Sequence, residues 1–170
     1  MRTPTLIALA VLGASAAACA TAPTAYGPPP APRSTAFNAA DFGWSSRAGS
    51  ASIDGRIDYR RDGRPYDCTG SVALTPDTPY TRARFATLYG STDRAAIPEA
   101  VVRARTVADP NADYRSYVRS ETCDGGRFRF TGLPDGGWFL IVPVAPADGA
   151  DRTVLMRHVV TRSGRVDVVL

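Results

Sequence analysis

Lysine is missing from this sequence: all 20 basic residues are arginines, set against 16 acidic ones. With abundant Ala, Gly and Pro, that usage reads as the mark of a GC-rich genome. Its absence closes one catalytic route, since a Ser-x-x-Lys nucleophile cannot be built. Histidine is almost as scarce. The one histidine is His158, and no Gly-x-Ser-x-Gly turn accompanies it to suggest a hydrolase triad. It lies in VLMRHVV (154–160), on the same strand face as Val154, Met156 and Val160, which points to a half-buried structural histidine. Three cysteines and one histidine cannot furnish a zinc site once two cysteines are bridged. The only glutamates, Glu99 and Glu121, stand in no apolar pattern that would suit a glycosidase pair. DPNADY (109–114) opens like a calcium loop, but Tyr114 and Ser120 stand where Gly and Glu are required, so an Asx turn is expected. No cofactor is implied, and catalytic residues are not expected. A net charge of +4, with no basic cluster denser than Arg60, Arg61 and Arg64, argues against nucleic acid as a partner.

Long apolar runs are also lacking. MRTPTLIALAVLGASAAACA has one basic residue, an apolar core from Leu6 to about Leu12, and small residues up to Cys19. That is the pattern of a secretory signal, here 1–18, and its core falls short of the ~20 apolar residues of a membrane span. Ala16–Ala18 and Ala18–Ala20 offer cleavage sites. Ala16-Ala17-Ala18-Cys19 also resembles the lipobox of bacterial lipoproteins, with Ala16 in place of the usual Leu. Cys68 and Cys123 lie in the body of the chain, and exported proteins tend to pair their cysteines. If those two pair, Cys19 is left over, and lipidation would account for it. By resemblance to such lipoproteins, Ala20 after the cysteine implies an outer-membrane lipoprotein facing the periplasm. Simple cleavage would leave a soluble periplasmic or secreted protein. Two unpaired buried thiols are the alternative to the bridge.

Residues 19–50 read as a tether and lead-in. ATAPTAYGPPPAPRSTA (20–36) is nearly uncharged and Pro-rich, suited to a semi-extended spacer. FNAADFGWSSRAGS (37–50) carries Phe37, Phe42 and Trp44, more aromatics than a linker needs. It is expected to lie against the domain, with an exposed patch for a partner as the alternative.

From Ala51 the pattern turns to strands. ASIDGRIDYR alternates Ile53, Ile57 and Tyr59 against Asp54, Arg56, Asp58 and Arg60. GSVALTP (70–76) is a short strand stopped by Pro76. YTRARFATLYG (80–90) spaces Phe85, Leu88 and Tyr89 as a helix does, within an excursion over 76–113. VVRARTV (101–107), YRSYVRSETC (114–123), RFRFTGL, GWFLIVPV, RTVLMRHVV and RVDVVL read as further strands, punctuated by Gly and Pro. Residues 51–170 are therefore expected to form an all-β sandwich of seven to eight strands with one short helix or loop excursion.

CDGGRFRFTGLPDGGWFLIV (123–142) resembles the carboxypeptidase regulatory-like domain, a transthyretin-like, immunoglobulin-like β-sandwich. The likeness rests on Asp124 and Gly126, Phe128 and Phe130, Leu133-Pro134 with Gly136 or Gly137, and the aromatic–apolar run that follows. The strands at 55–59 and 71–76 fit the same frame. The resemblance implies a sandwich over residues 51–170 and no particular activity. Hydroxyisourate hydrolases, which are also transthyretin-like, use several histidines and a Tyr-Arg-Gly-Ser ending, and neither is found here. A Cys68–Cys123 bridge would close a 55-residue loop, for about 4 kcal/mol on a chain-entropy estimate, and hold both ends of the excursion.

One constellation could bind. Arg103 and Arg105, and Arg115, Tyr117 and Arg119, are expected to share strand faces, as are Arg127 and Arg129; adjoining, they would form a basic, aromatic-studded wall for an anionic glycan or acidic protein. A solvated outer face is the plainer reading. The expected protein is thus a non-catalytic interaction or structural module of the cell envelope. It would be held at the membrane by a lipid on Cys19, with an unidentified envelope protein or a glycan as partner. A small-ligand or glycan-binding protein is the alternative, and a hydrolase the remote one.

Overall fold

The computed structural model describes residues 34–170. The signal, Cys19 and most of the tether fall outside the described residues. The strands are β1 (Ala51–Arg56), β2 (Arg60–Arg61), β3 (Arg64–Pro65), β4 (Asp67–Cys68), β5 (Ser71–Pro76), β6 (Arg94–Pro98), β7 (Arg119–Thr122), β8 (Arg127–Leu133), β9 (Gly136–Ala145), β10 (Thr153–Thr161) and β11 (Arg165–Val169). Between them stand α1 (Pro79–Tyr89) and α2 (Glu99–Ala104), and 3-10 helices cover Ala39–Ser46 and Asp113–Tyr117. Two sheets face each other. The smaller has the order β11–β1–β8, with β1 parallel to β11 and antiparallel to β8. The larger runs β6–β10–β9–β5–β7, with β4 paired to the end of β9, and β2 and β3 make a separate small hairpin. This is the expected all-β sandwich.

Alternation explains the layer between the sheets. In β8 the rings of Phe128 and Phe130 point inward and Arg127 and Arg129 outward. They meet Ile53 of β1, Leu74 of β5, Trp138, Leu140 and Val142 of β9 and Leu155 of β10, all buried. Each large side chain withdrawn from water contributes about 1.5–3 kcal/mol. The run in β9 is apolar on both faces, and its second face needs a cover. Phe139 and Ile141 find it in α1, where Phe85 and Tyr89 join Val154 and Met156 in a second cluster. Local sequence sets the limits of α1. Thr78 and Thr81 form a reciprocal capping box, Pro79 follows at the first turn, and Gly90 closes the helix at φ 70°.

Two strand expectations fail. VVRARTV does not form a strand; Glu99–Ala104 is helical, and the edge strand lies earlier, at Arg94–Pro98. Two forces outweigh the β-branched valines. Glu99 and Arg103 pair one helical turn apart, and β6 gains a partner in β10 through Ile97 opposite Val154. The first half of YRSYVRSETC is a 3-10 turn, with strand only from Arg119. The preceding Asx turns impose it: Asn111 N–H donates to Asp109 Oδ1 (3.3 Å) and Asp113 N–H to Asn111 Oδ1 (2.8 Å). DPNADY is thereby occupied as a turn.

The lead-in is packed. Phe42 is fully buried, with its ring 4.8 Å from Tyr117, and Trp44 meets Trp138 edge-on at 4.9 Å. Cys68 and Cys123 are bridged, with Cα atoms 6.2 Å apart. Among the described residues, no helix is long and apolar enough to cross a membrane.

Candidate functional site

At the end of β5 the chain turns into α1 through Pro76-Asp77-Thr78-Pro79. Asp77 N–H donates to the Gly137 carbonyl (2.9 Å), which fixes the carboxylate over the start of β9. That carboxylate takes two donors. Nε2 of His158, on β10, lies 2.8 Å from Oδ2, and Arg82 of α1 donates from Nε to Oδ1 at 3.0 Å and from a second nitrogen to Oδ2. Arg82 lies against the Phe139 ring (5.8 Å), and that ring lies 5.0 Å from the His158 ring. The Asp77 side chain is only 12% exposed. Burial acts to raise its pKa, but the hydrogen bonds from His158 and Arg82, with their charges, outweigh it and hold the carboxyl below its usual value.

Gly137 makes room for this pair. A Cβ there would stand 3.0 Å from both Asp77 Oδ2 and His158 Nε2, tighter than ordinary packing allows. His158 also donates its main-chain N–H to the Asp93 carbonyl (2.6 Å), tying the loop after α1 to β10. The histidine is half-buried, as expected. Among the described residues, no serine or cysteine hydrogen-bonds to it. Its contacts join helix to sheet.

Beside the pair runs an open groove of about 580 Å³. Asp77, Arg82, Thr35 and Thr92 bring polar groups to it, and Pro79, Ala83 and Ala86 give it a small apolar floor. Acceptor, donors and hydroxyls over weakly apolar carbon form a surface that can hydrogen-bond a polyhydroxylated ligand.

The predicted arginine set is dispersed among structural tasks. Arg103, on α2, pairs with Glu99, which Arg152 also reaches at 2.8 Å. These cations hold the Glu99 carboxyl below its usual range: the Arg103 hydrogen bond leads, burial opposes it, and the charges of Arg103 and Arg152 add to the lowering. Arg105, just past α2, donates to the Leu88 carbonyl (2.6 Å). Arg115 and Tyr117 sit on the 3-10 turn. Arg119 donates to the Ser45 carbonyl (2.8 Å) and lies 5.6 Å from the Trp138 ring centroid. Arg103 and Arg105 therefore share no strand face, and Tyr117 and Arg119 hold the lead-in in place. Arg129 is on the small sheet, 2.5 Å from Asp54, whose other oxygen faces Arg165 at 3.2 Å.

Asp77 and Arg82 escaped the sequence reading. The Thr-Pro-Asp-Thr-Pro stretch marks a helix start but does not reveal that its aspartate meets a histidine 81 residues away.

The fold and this corner describe an all-β sandwich with a helical cover and a polar groove at the cover's edge. A solved structure from Pseudomonas aeruginosa, described provisionally as a carbohydrate binding protein, shares that fold: TM-score 0.57 and 23% identity, over 79% of this chain and 96% of that one. At such identity the likeness concerns fold alone. No protein-family model and no curated protein matches the chain.

Proposed function

We propose that this protein is a non-catalytic binding module of the cell envelope and that its ligand is a glycan. The groove beside α1 carries the reading. Sugar hydroxyls donate and accept at once, and Asp77, Arg82, Thr35 and Thr92 offer both roles, with Pro79, Ala83 and Ala86 available to the C–H face of a ring. The provisional description of the Pseudomonas aeruginosa protein supports the same ligand class. The resemblance of residues 51–170 to the carboxypeptidase regulatory-like domain fits a role without catalysis. The Cys68–Cys123 bridge is the chemistry of an oxidising compartment, in keeping with export. A lipid on Cys19 and the Pro-rich stretch after it would present the sandwich at a membrane surface. Intact mass of the membrane-derived protein tests that anchor.

A glycan array probed with the mature protein tests the ligand. Selective retention, competed by free sugar and weakened about ten-fold by Arg82→Gln, is the expected result, because a hydrogen bond to a charged group contributes about 1.5–3 kcal/mol. Retention of no glycan would overturn the ligand class. Equal retention of the Arg82→Gln variant, folded by circular dichroism, would move the site elsewhere.

A further inference from the structure

The two sheets are unequal in width, and β6 forms the edge of the larger one beside β10. There the inner face of β10 meets the end of β11. Arg157 of β10 stands level with the buried Leu140 of β9 on one side and with Arg94 of β6 on the other. Residues directly opposite in a ladder project from the same face, so both arginines point to the inner side of the sheet. They line a groove of about 230 Å³ with Tyr59, Leu155, Ala96 and Val169, between β6 and the end of β11.

Pairing with a carboxylate is common among the other arginines of the chain. Arg64, Arg82, Arg103, Arg129 and Arg165 each face a carboxylate. Arg94 touches only the adjacent Asp93, at 3.2 Å on the solvent side, where both side chains are more than two-thirds exposed. Among the described residues, no carboxylate pairs with Arg157. Like charges directly opposite in an antiparallel pair destabilise a sheet, and here they do so over an apolar floor.

We propose that this groove is a second binding site, separate from the α1 groove, for a small amphipathic anion. Its carboxylate or phosphate head would sit between Arg94 and Arg157, and a short apolar tail would lie over Leu155, Ala96 and Val169. Two guanidinium forks suit one planar or tetrahedral anion. The groove, about 230 Å³, is small enough to favour a short-chain anion such as hexanoate over a long-chain one. The proposal does not depend on glycan binding.

Isotope-labelled full-length protein titrated by NMR with hexanoate, hexyl phosphate and hexan-1-ol tests it. Shift changes are expected at Arg94, Ala96, Arg157 and Val169 with at least one anion, and hexan-1-ol should bind about ten-fold more weakly. The Arg157→Gln variant should lose about ten-fold in anion affinity. The tighter of the two anions identifies the head group. Without ligand, Arg94→Glu should raise Tm by about 1–4 °C by replacing repulsion with a cross-strand pair. No shift changes with either anion, equal binding of the alcohol, or unchanged affinity in an Arg94→Gln/Arg157→Gln double variant would overturn the proposal. The spectrum of each variant reports whether it is folded.

Discussion

The two outer faces of the sandwich solve opposite problems. On the small sheet, Arg127 and Arg129 of β8 flank β1, and Asp54 sits between Arg129 and Arg165 in a charged ladder open to solvent. On the large sheet, Phe139, Ile141, Val154 and Met156 are shut under α1 and α2. The difference is written in the strands. Arg-Phe-Arg-Phe alternates and leaves a face that water can keep, whereas Trp-Phe-Leu-Ile-Val does not alternate and requires a cover. The excursion between β5 and β7 is that cover, so it belongs to the core as much as any strand does.

The largest expected effect tests this directly. Phe139→Ala should cost about 3–5 kcal/mol in urea unfolding, because the ring is fully buried between α1 and the sheet. A loss under about 1 kcal/mol would mean that the helices are a detachable layer and that the two faces are alike after all.

A smaller effect is expected at the seam between cover and sheet. Asp77 joins cover to sheet, and its folded pKa is held below the usual value of an aspartate. A depressed carboxylate contributes stability that is fully present above its unfolded pKa and lost as pH falls through the folded one. Tm should therefore drop on acidification below about pH 4, and Asp77→Asn should flatten that limb. Gly137→Ala, which crowds the Asp77–His158 pair, should cost about 1–3 kcal/mol and flatten it too. An unchanged acid limb in both variants would show that the seam carries no such linkage.

The smallest effect belongs to the open face. Arg129→Ala should cost no more than about 1 kcal/mol, since its side chain is 61% exposed and solvent screens the pair with Asp54. A cost rivalling that of Phe139→Ala would erase the distinction between a solvated ladder and a buried layer.

Legibility in the sequence followed the same division. The strands from Arg127 onward were readable because period-two alternation and Gly/Pro turns are local signals, and the spacing of Phe85, Leu88 and Tyr89 marked α1 for the same reason. Cysteine arithmetic anticipated the bridge. The segment around α2 reads as strand because two adjacent valines favour strand locally, while the outcome depends on Glu99 meeting Arg103 and on β10 recruiting Arg94–Pro98. The α1 groove was invisible for a related reason. Asp77, Arg82 and His158 meet through tertiary contacts that no spacing rule encodes, and the Arg94–Arg157 opposition exists only once β6 has its register.

The parallel pairing of β1 with β11 has a consequence for the order in which this molecule is made. Ile53 lies beside Val166, so a central strand of the small sheet waits for a partner far downstream in the chain. A polypeptide synthesised or threaded across a membrane from its N-terminus must carry β1 half-paired until β11 has emerged, with one edge bare. Closure of that sheet is then a late event set by the arrival of β11, and a chain truncated before β11 would expose a sticky, unpaired strand.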